Sequence, residues 1–128
     1  MKRVTLALCA AVLAGAASTS AYAADIQRGS GIEVCPVDEL CLYENWDFNK
    51  DTHDARVLST YKDIAHLDDY NFNDITSTVY NDTGRIVRLY PHYDYEGAPV
   101  TLVPGESIDF KDANGNFNDQ ISSVRFMN

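Results

Sequence analysis

Cysteine is scarce in this chain, three in 128 residues, and the 10 Lys and Arg are outnumbered by 19 Asp and Glu. None of the cysteines forms a C-x-x-C pair, and too few exist to complete a zinc site. The shortage of bases leaves a net charge of −9, which is repelled by nucleic acid and by anionic membrane surfaces. After the N-terminal segment there is no apolar run of membrane length. No run of helical length carries an i, i+3, i+4, i+7 stripe; the best helical candidate, Tyr61 to Asp69, offers one or two turns. Catalytic motifs are missing as well: there is no G-x-S-x-G elbow, no H-E-x-x-H and no phosphate loop. His53, His66 and His92 stand singly in polar, turn-like settings. These absences predict a non-enzymatic protein with no catalytic residues and no organic cofactor.

What is present begins with a targeting pattern. Lys2 and Arg3 precede an apolar run from Leu6 to Ala17, and Ala21-Tyr22-Ala23 supplies small residues at both recognition positions. This order reads as a secretory signal peptide over residues 1–23, cleaved after Ala23, and places the product outside the cell. Cys9 leaves with it, so Cys35 and Cys41 in CPVDELC are expected to pair as a disulfide, with a redox or metal pair as the alternative. A loop this short is worth about 2 kcal/mol on the chain-entropy model. Residues 24–34 are polar and contain Gly and Ser, and read as a loose leader before a domain spanning 35–128.

From Leu40 onward the chain is all-β in pattern. Short runs rich in Tyr, Phe, Val, Ile and Thr, such as LCLYENW, ARVLSTY, RIVRLY and SSVRF, are bounded by Asn, Asp, Gly or Pro. The chain also repeats itself. NFNDITSTV from Asn71 recurs as NFNDQISSV from Asn116, and LYENWDF from Leu42 has a counterpart in LYPHYDY from Leu89. A duplicated block of about 46 residues, with a boundary near Asn81–Gly84, predicts two units over 35–82 and 83–128. Packed face to face, they would make a β-sandwich with pseudo-twofold symmetry. Tyr90, Tyr95 and Gly97 suit a hairpin folded over its sheet, with the rings in contact and Gly97 at positive φ. Tyr43 and Phe48 repeat the aromatics, but Lys50 replaces the glycine, which shifts the expected turn to Asn49. Trp46 and the eight tyrosines read as core and hairpin packing rather than a carbohydrate platform.

An aromatic-x4-aromatic-x-Gly hairpin followed by N/D-N/D-x-x-S/T-S resembles the Greek-key motif of the βγ-crystallin superfamily. Asn118-Asp119-Gln120-Ile121-Ser122-Ser123 matches the second signature throughout; Asn73-Asp74-Ile75-Thr76-Ser77-Thr78 departs only in its last residue. The C-P-x4-C-L-Y opening is similar to secreted bacterial members grouped with a peptidase-inhibitor family typified by a small metalloproteinase inhibitor. The resemblance implies a sandwich of two Greek keys that holds up to two Ca²⁺ ions. Asp74 and Asp119 would supply carboxylates, Ser77 and Ser122 hydroxyls, and Ile75, Gln120, Glu44 and Pro91 backbone carbonyls. Asn73 and Asn118 would hold the loops, and Asp112 and Glu44 would add acidity. Calcium ions, and in the alternative an extracellular protease, are the implied partners of a monomer that binds neither nucleic acid nor membrane. The competing reading of the repeated signature is turn chemistry alone, with Asn-Asp bonding its own backbone and Ser tying down the hairpin. An EF-hand is excluded, because the glycine of the 112–116 stretch falls at the fourth position rather than the sixth.

Overall fold

The computed structural model describes residues 24–111 and 117–128. The signal peptide read over 1–23, with Cys9 and the cleavage point after Ala23, lies outside the described residues, as do Asp112 and the rest of the 112–116 stretch. Among the described residues the apolar runs form eight strands: β1 (Ala24–Arg28), β2 (Leu40–Tyr43), β3 (Arg56–Thr60), β4 (Thr78–Asn81), β5 (Ile86–Tyr90), β6 (Val100–Leu102), β7 (Ser107–Asp109) and β8 (Ser123–Met127). The helical content expected at Tyr61–Asp69 is a single 3₁₀ turn, Leu67–Tyr70.

All pairings are antiparallel. One sheet runs β1-β3-β2-β4-β7 and the other β6-β5-β8, and the second gains a fourth member where Ile64 bridges Val124 through two hydrogen bonds of 3.0 Å. The two repeats are therefore not one sheet each. The third strand of each crosses over: β7 of the second repeat pairs with β4 of the first, and Ile64 of the first pairs with β8 of the second. The result is a pair of interlocked Greek keys related by a pseudo-twofold axis. The expected loose leader is partly wrong. Ala24–Arg28 pairs residue for residue with Thr60–Arg56 as an edge strand, and Ala24 is buried.

Leu40, Leu42, Leu58, Val79, Val87, Leu89 and Val124 fill the space between the sheets. The LCLY run of β2 does not alternate because both its faces are covered. Leu40 and Leu42 enter that central core, while Tyr43 and the Cys35–Cys41 disulfide pack with Val57 and Phe48 on the outer face. Emptying such a site, as in Leu42→Ala, costs about 2–5 kcal/mol.

Candidate functional site

Each repeat sends a hairpin back over its own sheet. In the first, the Phe48 ring meets Tyr43 edge-on at 5.3 Å; in the second, Tyr95 meets Tyr90 at 6.0 Å. Gly97 has φ 92°, and a Cβ there would lie 2.7 Å from Pro91 Cγ, so only glycine fits. Lys50 sits instead in the right-handed region at φ −51°, and the left-handed turn falls at Asp47, Phe48 and Asn49. Asn49 makes this possible. Its buried side chain accepts from Asn45 N at 2.8 Å and donates to Gly29 O and Arg56 O at 3.0 and 3.1 Å.

The two N/D-N/D-x-x-S/T-S loops meet across the pseudo-twofold. Asp74 and Asp119 occupy matching left-handed positions, φ 58° and 57°. Asp74 N donates to Ile121 O at 3.1 Å, and Asp119 N to Thr76 O at 3.0 Å. Their carboxylates then receive the serine of the opposite repeat: Ser77 Oγ donates to Asp119 Oδ1 and Ser122 Oγ to Asp74 Oδ1, both at 3.1 Å. Ser122 Oγ also lies 3.1 Å from Pro91 O. Glu44, Ser77 and Asp119 line a common cleft of about 420 Å³.

The signature's two hydroxyl positions have separate tasks. The first, Ser77 or Ser122, faces the opposite carboxylate. The second ties down the hairpin: Thr78 Oγ1 donates to Asn45 O at 2.8 Å and Ser123 Oγ to His92 O at 2.6 Å. Turn chemistry and oxygen clustering thus coexist on neighbouring residues, with Thr78 and Ser123 serving as hairpin tethers. Among the described residues, the carbonyl oxygens of Glu44, Ile75 and Gln120 accept no hydrogen bond. Of the eight expected residues, the structure brings together Glu44, Ser77 and Asp119 along the cleft, and Pro91, Ser122 and Asp74 around the Ser122 hydroxyl; Ile75 and Gln120 directly follow Asp74 and Asp119 in the chain.

The expected acidity from Glu44 is not available. Its carboxylate is engaged by Arg56, at 3.2 Å from Nη2 and 2.9 Å from the backbone N. Burial pushes this carboxyl up, but hydrogen bonding to Arg56 outweighs it and leaves the group below its ordinary range. Asn118 holds its loop through the other repeat, accepting Trp46 Nε1–H at 2.8 Å, whereas buried Asn73 Oδ1 has no partner among the described residues. Trp46, expected with the tyrosines in core and hairpin packing, lies in the first hairpin but not in the core: it is 46% exposed at the rim of the cleft.

This architecture defines a βγ-crystallin domain. The chain is similar to a domain solved in work on the evolution of the eye-lens βγ-crystallin fold, with 20% identity and TM-score 0.64 over 80% of this chain and 97% of that one. A βγ-crystallin from Ciona intestinalis shows 24% identity and TM-score 0.58 over 70% of this chain and 99% of its own. One from an archaeon shows 27% and 0.57 over 72% and 100%. No protein of curated function matches the sequence. The chain belongs to peptidase inhibitor family I36, whose model matches residues 30–102.

Proposed function

We propose that this protein is a secreted, non-enzymatic βγ-crystallin-type domain that binds Ca²⁺ at its two carboxylate–serine sites and is stabilised by it. The observation that carries this reading is the reciprocal 3.1 Å approach of Ser77 to Asp119 and of Ser122 to Asp74. Two oxygens at that separation, each at about 2.4 Å from an ion, subtend roughly 80°, as neighbours in a six- to eight-oxygen shell do. One carboxylate, one hydroxyl and two carbonyls per site form a hard, oxygen-only donor group, with water completing the shell. A single charge per site suits the weaker extracellular range, on the order of micromolar to millimolar. Each ion would join oxygens of both repeats, so binding would favour the folded chain by RT ln(1 + [L]/Kd), about 2.7 kcal/mol at a hundredfold excess over Kd. The test is calorimetric titration of the EDTA-treated protein. Heat with a stoichiometry near two supports the reading, and no heat at millimolar Ca²⁺ rejects it.

Family membership favours a second reading, inhibition of an extracellular peptidase. A rigid, protruding loop is what an enzyme cleft accepts. The stretch His53 to Asp69 is not such a loop, because it contains β3 and the tethered Ile64. The disulfide loop Cys35–Cys41 fits better. Val37 at its tip is 80% exposed, and Asp82 braces it by accepting from Asp38 N at 3.3 Å and donating to Glu39 O at 3.1 Å. Equimolar assays against thermolysin and subtilisin decide it: stoichiometric loss of peptidase activity supports inhibition, and full activity removes it for those two classes.

A further inference from the structure

The pseudo-twofold breaks again where the two hairpins meet their surroundings. Trp46 and Tyr93 hold equivalent positions in the two hairpins, yet their surroundings differ. Tyr93 is covered by the His66 ring, stacked at 4.5 Å and 20°. Trp46 stands at the rim of the 420 Å³ cleft with nothing stacked on it among the described residues. Its one polar atom is taken by Asn118 Oδ1 at 2.8 Å, so the indole is fixed in orientation and offers its flat apolar face. The rest of the wall is polar and unsaturated. Asn45 uses its amide nitrogen on Thr52 Oγ1 at 2.7 Å, which leaves the Asn45 amide oxygen and the Thr52 hydroxyl proton unused. Asp51 has no hydrogen bond or ion pair among the described residues.

We infer that this cleft binds a neutral saccharide, with one sugar ring stacked on Trp46. A fixed aromatic face takes up the C–H side of a pyranose ring, and a wall dominated by acceptors demands a ligand rich in donors, as hydroxyls are. Charge selects among such ligands. Asp47 is paired with Lys111 at 2.8 Å and Glu44 with Arg56 at 3.2 Å, which leaves Asp51 and Asp119 uncompensated. A divalent ion held at Asp119 brings the cleft to neutrality and disfavours a cationic guest. In this respect the inference rests on the calcium reading.

Trp46 is the only tryptophan, so its emission reports this cleft alone. The experiment titrates chitotriose, cellotriose and maltotriose into the protein with Ca²⁺ present, following Trp emission and calorimetric heat. Saturable binding of at least one trisaccharide, weakened about tenfold or more by Trp46→Ala and less by Trp46→Phe, supports the site. No response up to tens of millimolar sugar, or binding unchanged in Trp46→Ala, overturns it. So does a Trp response confined to Lys- or Arg-rich peptides. Calcium heat measured separately on the wild type and both variants keeps the two readings apart: calcium heat without sugar binding rejects this inference alone. Absent calcium heat rejects the calcium reading and with it the charge argument, while sugar binding remains directly measured.

Discussion

Ser77 in the first repeat donates its hydroxyl proton to Asp119 in the second at 3.1 Å, and the symmetry mate Ser122 does the same to Asp74. If these contacts mark ion sites, millimolar Ca²⁺ raises the melting midpoint by several degrees over EDTA. Asp119→Ala or Asp74→Ala each removes about half of that shift and one ion from the stoichiometry, and the double variant removes both. Differential scanning calorimetry with and without EDTA checks this. An unchanged midpoint in the wild type sinks it.

The missing hairpin glycine makes a less intuitive prediction. Restoring the motif by Lys50→Gly does not stabilise the protein and costs about 0.5–1 kcal/mol, because Lys50 already sits in the right-handed region at φ −51°. Asn49→Ala, by contrast, loses three hydrogen bonds and strains a residue at φ 59°, a loss of about 3 kcal/mol or more. Asn49→Gly keeps the backbone freedom and costs less than the alanine. Urea midpoints of the three variants rank them.

Alkaline pH tests Tyr43. Burial, reinforced by the charges of Glu33 and Tyr80, pushes its phenol well above the ordinary 10.0. A raised pKa means that the unfolded chain gives up this proton first. The contribution to stability is complete below about pH 10 and declines as pH rises beyond it. At neutral pH Tyr43→Phe costs about 1 kcal/mol, since the hydroxyl donates to Gly31 O at 2.8 Å. The gap between wild type and variant closes by about pH 11. A gap that stays constant in urea melts across this range contradicts the assignment.

Replacing both Cys35 and Cys41 by Ser lowers stability by about 2 kcal/mol, because the bridge closes a loop of only a few residues and anchors the outer cluster with Val57. Neither cysteine belongs to an oxygen set, so calcium heat and stoichiometry remain those of the parent. Chemical denaturation and calorimetry on the same variant read the two effects independently.

How far these features show in the sequence depends on their range. The hairpins and the left-handed Asp positions are local, and local turn residues announce them; even the shift from Lys50 to Asn49 follows from which side chain tolerates positive φ. β1 gives no such signal. ADIQR buries one small residue, Ala24, and is held by backbone pairing to β3, which composition does not record. Ile64 sits in a polar stretch and joins its sheet by a single bridge, so the crossing of third strands is invisible without a partner. The Trp46–Asn118 bond spans 72 positions, and the Glu44–Arg56 pair that neutralises an expected acid depends on register between β2 and β3. Repetition reveals the symmetry and, at Lys50, one of its failures; the failures that depend on distant partners show only in the fold.

The exchange of Ile64 and β7 between sheets bears on how such a chain assembles. Severed between Asp82 and Thr83, each half would keep a bare edge complementary to the other's outlying segment, so mixed fragments would reconstitute the pair. Two intact molecules trading halves by the same joints would remake these pairings between chains, at the cost of opening the Asn81–Arg85 turn.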